Sequence, residues 1–408
     1  MVLPRLMLFY CSLAALLCVA LGSSSTLRAT DSEQQLMARA LEAVGRYDRA
    51  QFFTYRPRFD PSEQAASTVA IIGNLLLEGY RIRGTERWLQ HARVAGDTLI
   101  SHSDMNGDGK VGWGRFWKPS SPSRDAIGGN TTFVLDCTQP RNRSYDDELY
   151  DNARIAQFLL ELYQNTDDVR YLKTAQKVID DTWEVGETTQ DGTGFAYFKT
   201  IGACDRGWHV KNINVLMAVP LAMLANRSGD QKYWKRLEAV MLEERSQIRR
   251  AVNGRLAPNL GYVSIDTMMK KPTQGGYVAR AQTTDLSAAI SCNVATSTGT
   301  SCTQHLGLEA RSIDLVLRLT GRADLGSTSD VEVVMEGHLS LDAELCSSDR
   351  VPYKSANPTY CAAYQCALRR LRPEYADICL RRTEDPASAT PDIVLGLFWG
   401  SPTRFVLQ

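Results

Sequence analysis

One stretch of the chain, residues 151–172, reads DNARIAQFLLELYQNTDDVRYL and decides the fold. Its apolar residues recur at the three- and four-residue spacing of one helix face, at Ile155, Phe158, Leu159 and Leu162. A turn follows at Thr166-Asp-Asp168, where a threonine or aspartate side chain can cap a second helix. Tyr171 then opens that helix, so that its ring would pack between the two. The stretch predicts an αα-hairpin.

The same pattern of turn, cap and aromatic residue recurs along the chain. Further copies are Gly84-Thr-Glu-Arg-Trp88, Ser228-Gly-Asp-Gln-Lys-Tyr233 and a fainter Thr320-Gly-Arg-Ala-Asp324. Long alternating strand patterns are scarce, which indicates an all-α protein. The alternative to a closed ring of hairpins is an open solenoid, but the regular spacing of about 34 or about 40 residues typical of solenoids is absent. We therefore predict an (α/α)6 toroid.

The composition excludes several classes of protein. The 408 residues carry 46 Lys+Arg and 46 Asp+Glu, and 44% of the residues are hydrophobic, which is unlike a disordered chain. The sequence has no dense run of lysine and arginine, which excludes the usual signal for a nucleic-acid partner. A net charge of zero gives no electrostatic reason to expect a membrane surface or a polyanion as ligand.

The first residues have the pattern of a secretory signal peptide. Arg5 precedes an uncharged run over residues 6–21, and the small residues 22–25 follow. A membrane anchor is the alternative, but the run is short for a span and no lysine- and arginine-rich cluster follows it. We predict a signal peptide over residues 1–22, a single toroid domain over residues 23–408, and no membrane span after cleavage. The protein would be secreted and associated with the cell wall.

Cysteines and glycosylation sequons agree with export. Signal cleavage would remove Cys11 and Cys18 and leave an even number of cysteines, which suggests disulfides in an oxidising compartment. We expect Cys292 and Cys302, which flank a loop rich in serine and threonine, to pair. Sequons for glycosylation begin at Asn130, Asn142 and Asn226.

The most acidic compact segment, residues 145–152, reads YDDELYDN. Asp147 and Asp151 are four residues apart and would share one helix face, and Asp146 lies beside them. One interpretation is a helix cap with first-turn charges, which the helix dipole favours. The other is glycoside hydrolysis, which needs one carboxylic acid to protonate the leaving oxygen and a second carboxylate to attack the sugar or activate water.

The region over residues 145–237 resembles glycoside hydrolase family 76, which comprises α-1,6-mannanases and related fungal cell-wall enzymes. The similarity runs through residues 151–172, through Gly192-Thr-Gly-Phe-Ala-Tyr197, and through Lys211-Asn212 at the start of the next helix. The family has two adjacent aspartates on an inner helix. In register, Asp151 matches the second aspartate and Tyr150 stands at the first.

The resemblance implies a glycoside hydrolase or transglycosidase that acts on an α-mannan-type cell-wall polysaccharide through paired carboxylates. Asp151 would be the nucleophile or general acid, and Asp147 or Asp146 would be its partner. Two alternatives stay open. One is a catalytically inactive glycan-binding relative. The other is a lyase or epimerase acting on a uronic acid, for which Tyr150, His209 and Arg206 are candidates.

Aromatic residues in the predicted loops are candidates for stacking on sugar rings, although any one of them could instead cover the core. The predicted substrate-binding residues are Trp113, Tyr150, Asn152, Tyr197, Trp208, His209, Lys211 and Asn212. The sequence does not predict an oligomeric state.

Residues 104–109 read DMNGDG and are similar to the first half of a calcium-binding loop. Asp104, Asn106 and Asp108 would supply oxygen ligands to Ca²⁺. Arg115 stands where the bidentate acid is expected, so an outside carboxylate such as Asp125 would have to complete the site. The alternative is a turn that presents Trp113. No cofactor is required for the predicted hydrolysis.

Overall fold

The computed structural model describes residues 32–48, 66–104, 109–113, 149–187, 195, 211–253, 270–273, 276–279, 299–332, 334–335, 357–384 and 390–401. The helices are α1 (32–48), α2 (Ala66–Arg83), α3 (Glu86–Ser101), α4 (Leu149–Thr166), α5 (Val169–Glu187), α6 (Lys211–Ser228), α7 (Gln231–Asn253), α8 (Gly299–Thr320), α9 (Asn357–Leu368), α10 (Tyr375–Arg382) and α11 (Pro391–Trp399). Strands β1 (Lys270–Thr273) and β2 (Gly276–Ala279) form an antiparallel hairpin that pairs Lys270 with Ala279.

Six helices form a closed inner ring. Helix α2 packs against α4, α4 against α6, α6 against α8, α8 against α9, α9 against α11, and α11 returns to α2. Helices α3, α5, α7 and α10 pack outside α2, α4, α6 and α9, each against the inner helix that precedes it. The predicted (α/α)6 toroid is confirmed, because an open solenoid would not bring α11 to α2.

Helix α1 completes the outer layer. Asp48 at its end forms ion pairs with Arg87 and His91 of α3. Near its start, Glu33 pairs with Arg369, which follows α9. Helix α1 therefore lies outside the junction of α11 and α2, so that the sixth hairpin of the ring combines a helix from each end of the described chain.

Inner and outer helices bury different shares of their surface. Every residue of α2 from Val69 to Gly79 is buried, because an inner helix is covered by two ring neighbours and an outer partner. Outer helix α3 has one buried stripe that includes Trp88, Leu89 and Ala92. This is the amphipathic pattern of a helix with one face in solvent.

The short turns between inner and outer helices follow the predicted pattern, except that the Thr85 side chain makes no cap hydrogen bond to α3. Gly84, Asp167, Gly229 and Gly321 all have positive φ, between 53° and 64°. Each donates its N–H to a carbonyl at the end of the preceding inner helix, at 2.7 to 3.0 Å, which ends that helix. The aromatic residues that follow, Trp88, Tyr171 and Tyr233, are buried as predicted.

The two faces of the ring differ in their connections. The short turns follow the C-terminal ends of the inner helices, and contacts there include Asn226 Nδ2 donating to the Leu319 carbonyl at 2.6 Å. The described inner helices begin at the opposite face, which we call the N-terminal face. The first turns of α2 and α4 meet there, where Ser67 contacts Asp151.

Helices α9 and α11 approach each other closely at two glycines. A Cβ atom on Gly396 would lie 2.4 Å from the carbonyl oxygen of Ala363, and one on Gly400 would lie 2.0 Å from that of Cys366. A disulfide between Cys366 and Cys379 also joins α9 to α10, with Cα atoms 5.6 Å apart. This disulfide agrees with the expectation of disulfides from the cysteine count. The predicted pairing of Cys292 with Cys302 lies outside the described side chains.

We expect Gly396→Ala to lower the free energy of unfolding by about 1–3 kcal/mol, because the added methyl group meets backbone that cannot rotate away. Gly45→Ala in α1 is the matched control. No atom lies within 4 Å of its added Cβ, so the gain in helix propensity should stabilise the protein by up to about 1 kcal/mol. Urea denaturation of both variants measures the difference, and a stabilised Gly396→Ala would contradict the packing described here.

None of the helices in the described part of the chain is long and apolar enough to cross a membrane. The predicted signal peptide lies outside the described residues, and the single-domain boundaries stay a prediction.

Candidate functional site

Asp151 lies in the first turn of α4 on the N-terminal face, and its side chain is buried. Its Oδ1 accepts the backbone N–H of Ser67, at 3.0 Å, in the first turn of α2. The carboxylate thus stabilises the N-terminus of the neighbouring inner helix, where an anion is favoured. The two proposed partners, Asp146 and Asp147, lie outside the described residues.

Tyr150 precedes Asp151 and contacts a buried arginine. The guanidinium carbon of Arg154 lies 5.4 Å from the centre of the Tyr150 ring, within cation–π range. Arg154 Nη2 lies 3.5 Å from Oδ1 of Asp392, in the first turn of α11, which is the helix beyond α2 in the ring. Burial opposes the charge of Arg154, but Tyr150 and Asp392 outweigh it and raise its pKa.

A second arginine, Arg311 of α8, lies deeper in the ring and is also buried. Its guanidinium carbon is 4.5 Å from the Trp399 ring centre and 5.6 Å from that of Tyr364. Burial, and then repulsion from Arg154, lowers the pKa of Arg311 to about 9, so it is still a cation at neutral pH. Burial also raises the pKa of Tyr364.

These groups form two contact sets on inner helices, one around Arg154 and one around Arg311, and the two arginines are near enough to repel each other. We call the six residues together the axial column. Its members are Tyr150, Arg154, Asp392, Arg311, Tyr364 and Trp399. Tyr150 and Asp392 are partly exposed, and the other four are buried. The axial column therefore combines buried arginines with aromatic rings.

Trp113 differs from its predicted role as a stacking platform for sugar. Only 2% of its surface is exposed, and its indole N–H donates to the Leu99 carbonyl at 2.9 Å. Its backbone N–H donates to Asn152 Oδ1, also at 2.9 Å. Trp113 is therefore a packing residue. Because Asn152 Oδ1 accepts the backbone N–H of Trp113, this oxygen is not available to a substrate.

The other predicted substrate-binding residues are only partly located. Lys211 and Asn212 are the first two residues of inner helix α6, which places them at the N-terminal face. Tyr197, Trp208 and His209 lie outside the described residues. Asn214, which the sequence analysis did not identify, accepts the N–H of Phe195 at 2.6 Å and donates to its carbonyl at 3.1 Å. It thereby anchors the connection before α6.

The predicted calcium loop is described only at its ends. Asp104 Oδ2 accepts the N–H of Gly109 at 3.1 Å, and Gly109 has a φ of 77°. Asn106 and Asp108 lie outside the described residues. Among the residues that the structure describes, no group of three or more metal-ligating side chains is suited to an ion. Calcium binding stays a prediction.

The sequons give a similarly partial result. Asn226 is exposed near the end of α6, on the face opposite the N-terminal face. Asn130 and Asn142 lie outside the described residues. Glycosylation at all three sites stays a prediction.

Most of the axial column was missed by the sequence analysis. A signal was present for the arginines, because Arg154 and Arg311 each stand four residues before an apolar position of the same helix face, Phe158 and Leu315. A charge in line with a buried stripe indicates a buried charge. Pro391-Asp392 is typical of a helix start, but no local pattern predicts that this start lies near Arg154.

This protein is similar to known proteins in structure but not in sequence. No sequence-family model and no curated protein matches the chain. The structure is similar to a family 76 glycoside hydrolase from a bovine Bacteroides thetaiotaomicron strain, with a TM-score of 0.52 and 12% identity over 90% of this chain and 76% of that one. It is also similar to the GH76A α-1,6-mannanase of Salegentibacter sp. HEL1_6, with a TM-score of 0.50 and 10% identity over 88% and 98% of the two chains.

A third similar structure is the Lin0763 protein of Listeria innocua, with a TM-score of 0.50 and 14% identity over 88% of this chain and 96% of that one. Identities at this level show a shared fold. The chain therefore has the six-hairpin glycosidase fold.

Proposed function

We propose that this protein is a secreted carbohydrate-active enzyme, a glycoside hydrolase or transglycosidase that acts at the N-terminal face of the ring. The observation that carries the proposal is the position of Asp151, a buried carboxylate in the first turn of an inner helix. Support comes from the fold, which is shared with a family 76 glycoside hydrolase and an α-1,6-mannanase. An α-mannan-type cell-wall polysaccharide is the substrate that we propose.

Two carboxyl groups must act together in this reaction. Asp151 would attack the anomeric carbon or protonate the leaving oxygen, and the second carboxyl group would come from Asp147 or Asp146. Asp392 is a further acid on the same face, in the first turn of α11, which is separated from α4 by α2. Retention of configuration would need the two groups about 5–5.5 Å apart, and inversion about 6.5–9.5 Å apart.

Asp151→Asn is expected to lower the release of sugar from α-1,6-mannan by at least about 100-fold, because the amide cannot act as a nucleophile or acid. Its side-chain oxygen can still accept the Ser67 N–H, so the fold should persist. Asp168→Asn, in a short turn on the opposite face, is the matched control and should keep full activity. Equal activity of Asp151→Asn and the unmodified protein would exclude Asp151 from the chemistry.

A catalytically inactive glycan-binding protein is the second candidate. The observation that favours it is the contact of Tyr150 with Arg154, because the family that the sequence resembles has an aspartate at that position. This candidate predicts that α-1,6-mannan binds in calorimetry and yields no product over a long incubation. Product formation would exclude it.

A further inference from the structure

The two arginines of the axial column have N–H groups that the proposed hydrolysis does not use. Arg154 Nε and Nη1 are buried without a hydrogen-bond partner among the described residues, and so are Arg311 Nε and Nη2. Only 2% of the surface of each arginine is exposed. Buried donors normally have acceptors, so four such nitrogens on two neighbouring arginines indicate a missing acceptor.

The charges around the column are unbalanced. Asp392 is the carboxylate that Arg154 faces, and it contacts only Nη2, at 3.5 Å. Asp314, on the same helix as Arg311, pairs with Arg318 and Arg370 instead. No ion pair joins Arg311 to a carboxylate within the described part of the chain. Two buried cations thus share one partly exposed acid.

Packing alone does not account for this arrangement. Stacking on Tyr364 and Trp399 covers the faces of the Arg311 guanidinium and leaves its in-plane N–H groups without acceptors. A hydrophobic side chain of similar size would fill the same space without burying a charge. A guanidinium edge is, by contrast, suited to the paired oxygens of a carboxylate or sulfate.

We propose that the axial column is a binding site for an oxyanion, which accepts hydrogen bonds from Arg154 and Arg311. We assign this oxyanion to an acidic sugar, as a carboxylate or a sulfate ester. The assignment rests on the wider part of the proposed function, an enzyme that acts on carbohydrate, because α-mannan itself carries neither group. The rings of Tyr150 and Tyr364 would form apolar walls for the sugar. Tyr150 and Asp392, the partly exposed members of the column, mark its mouth on the N-terminal face.

The test is calorimetric titration of the full protein with four probes at matched ionic strength. Sodium glucuronate is compared with glucose, and sodium sulfate with sodium chloride. We expect glucuronate to bind at least about tenfold more tightly than glucose, and sulfate to bind where chloride does not. Equal binding of glucuronate and glucose, together with no binding of sulfate, would overturn the proposal.

Arg311→Met is expected to weaken binding of glucuronate and sulfate at least about tenfold. Arg322→Met is the matched control, because Arg322 also stacks on a tryptophan, Trp234, at 5.0 Å, but lies at the surface. It should bind both anions like the unmodified protein. Unchanged binding by Arg311→Met would show that the arginine only packs. If that variant does not fold, the comparison of glucuronate with glucose decides.

The outcomes also separate this proposal from the hydrolase proposal. Sulfate binding without glucuronate binding would keep the oxyanion site and overturn its assignment to an acidic sugar. Glucuronate binding by a protein that releases no sugar would sustain the site while the hydrolase proposal fails. Mannan hydrolysis without any anion binding would sustain the hydrolase proposal and overturn the oxyanion site.

Discussion

Phe158→Ala is expected to lower the free energy of unfolding by about 3–5 kcal/mol, as for other fully buried phenylalanines. Phe158 lies on inner helix α4 with no exposed surface, and its ring fits against Gly73 of α2. Because both helices belong to the closed ring, neighbouring side chains have little freedom to fill the space. Urea denaturation of the full protein measures the loss.

Gly73 provides a test of that contact. A Cβ atom on Gly73 would lie 2.3 Å from Cζ of Phe158, so Gly73→Ala alone should destabilise the protein by about 1–3 kcal/mol. In the Phe158→Ala background the same methyl group fills part of the cavity, and its effect should be much smaller or reversed. Additive losses in the double variant would show that the two residues do not pack as described.

Asp392→Ala is expected to cost about 3 kcal/mol or more, because it leaves the buried charge of Arg154 without its carboxylate. The double variant Arg154→Met with Asp392→Ala replaces the pair by apolar groups and should recover most of the loss. The unfolding midpoint in urea again measures both effects.

Asp324→Ala is the control for this comparison. Asp324 also pairs with an arginine, Arg322, but at the surface, where water screens the interaction. The unfolding midpoint of Asp324→Ala in urea should equal that of the unmodified protein. If the double variant at Arg154 and Asp392 were as unstable as Asp392→Ala alone, the loss of stability would come from the first turn of α11. It would then not come from the unpaired charge of Arg154.

The hairpins could be predicted from sequence because each is a local feature. The helix over Leu149–Thr166, the turn at Asp167 and the burial of Tyr171 depend on neighbours within a few residues. Closure of the ring followed from the series of hairpins and the absence of a regular repeat. These properties are periodic, and periodicity is visible in one sequence.

The site was predictable only in part. Asp151 was identified, but its contact with Ser67 joins residues 84 positions apart. The pairing of Arg154 with Asp392 spans 238 positions, and no local pattern specifies such a contact. Trp113 was predicted to stack on sugar from a loop, with cover of the core as the alternative, and its N–H groups attach it to α3 and α4.

The sixth hairpin has a consequence for biosynthesis, since it combines α1 (32–48) with α11 (Pro391–Trp399). During translation, the ring cannot close until residue 399 has left the ribosome. Until then, the apolar sides of α2 and α9 that pack against α11 are exposed. A nascent chain in this state would be a client for chaperones. A premature stop codon just before Pro391 should therefore yield an aggregating fragment rather than a smaller functional protein.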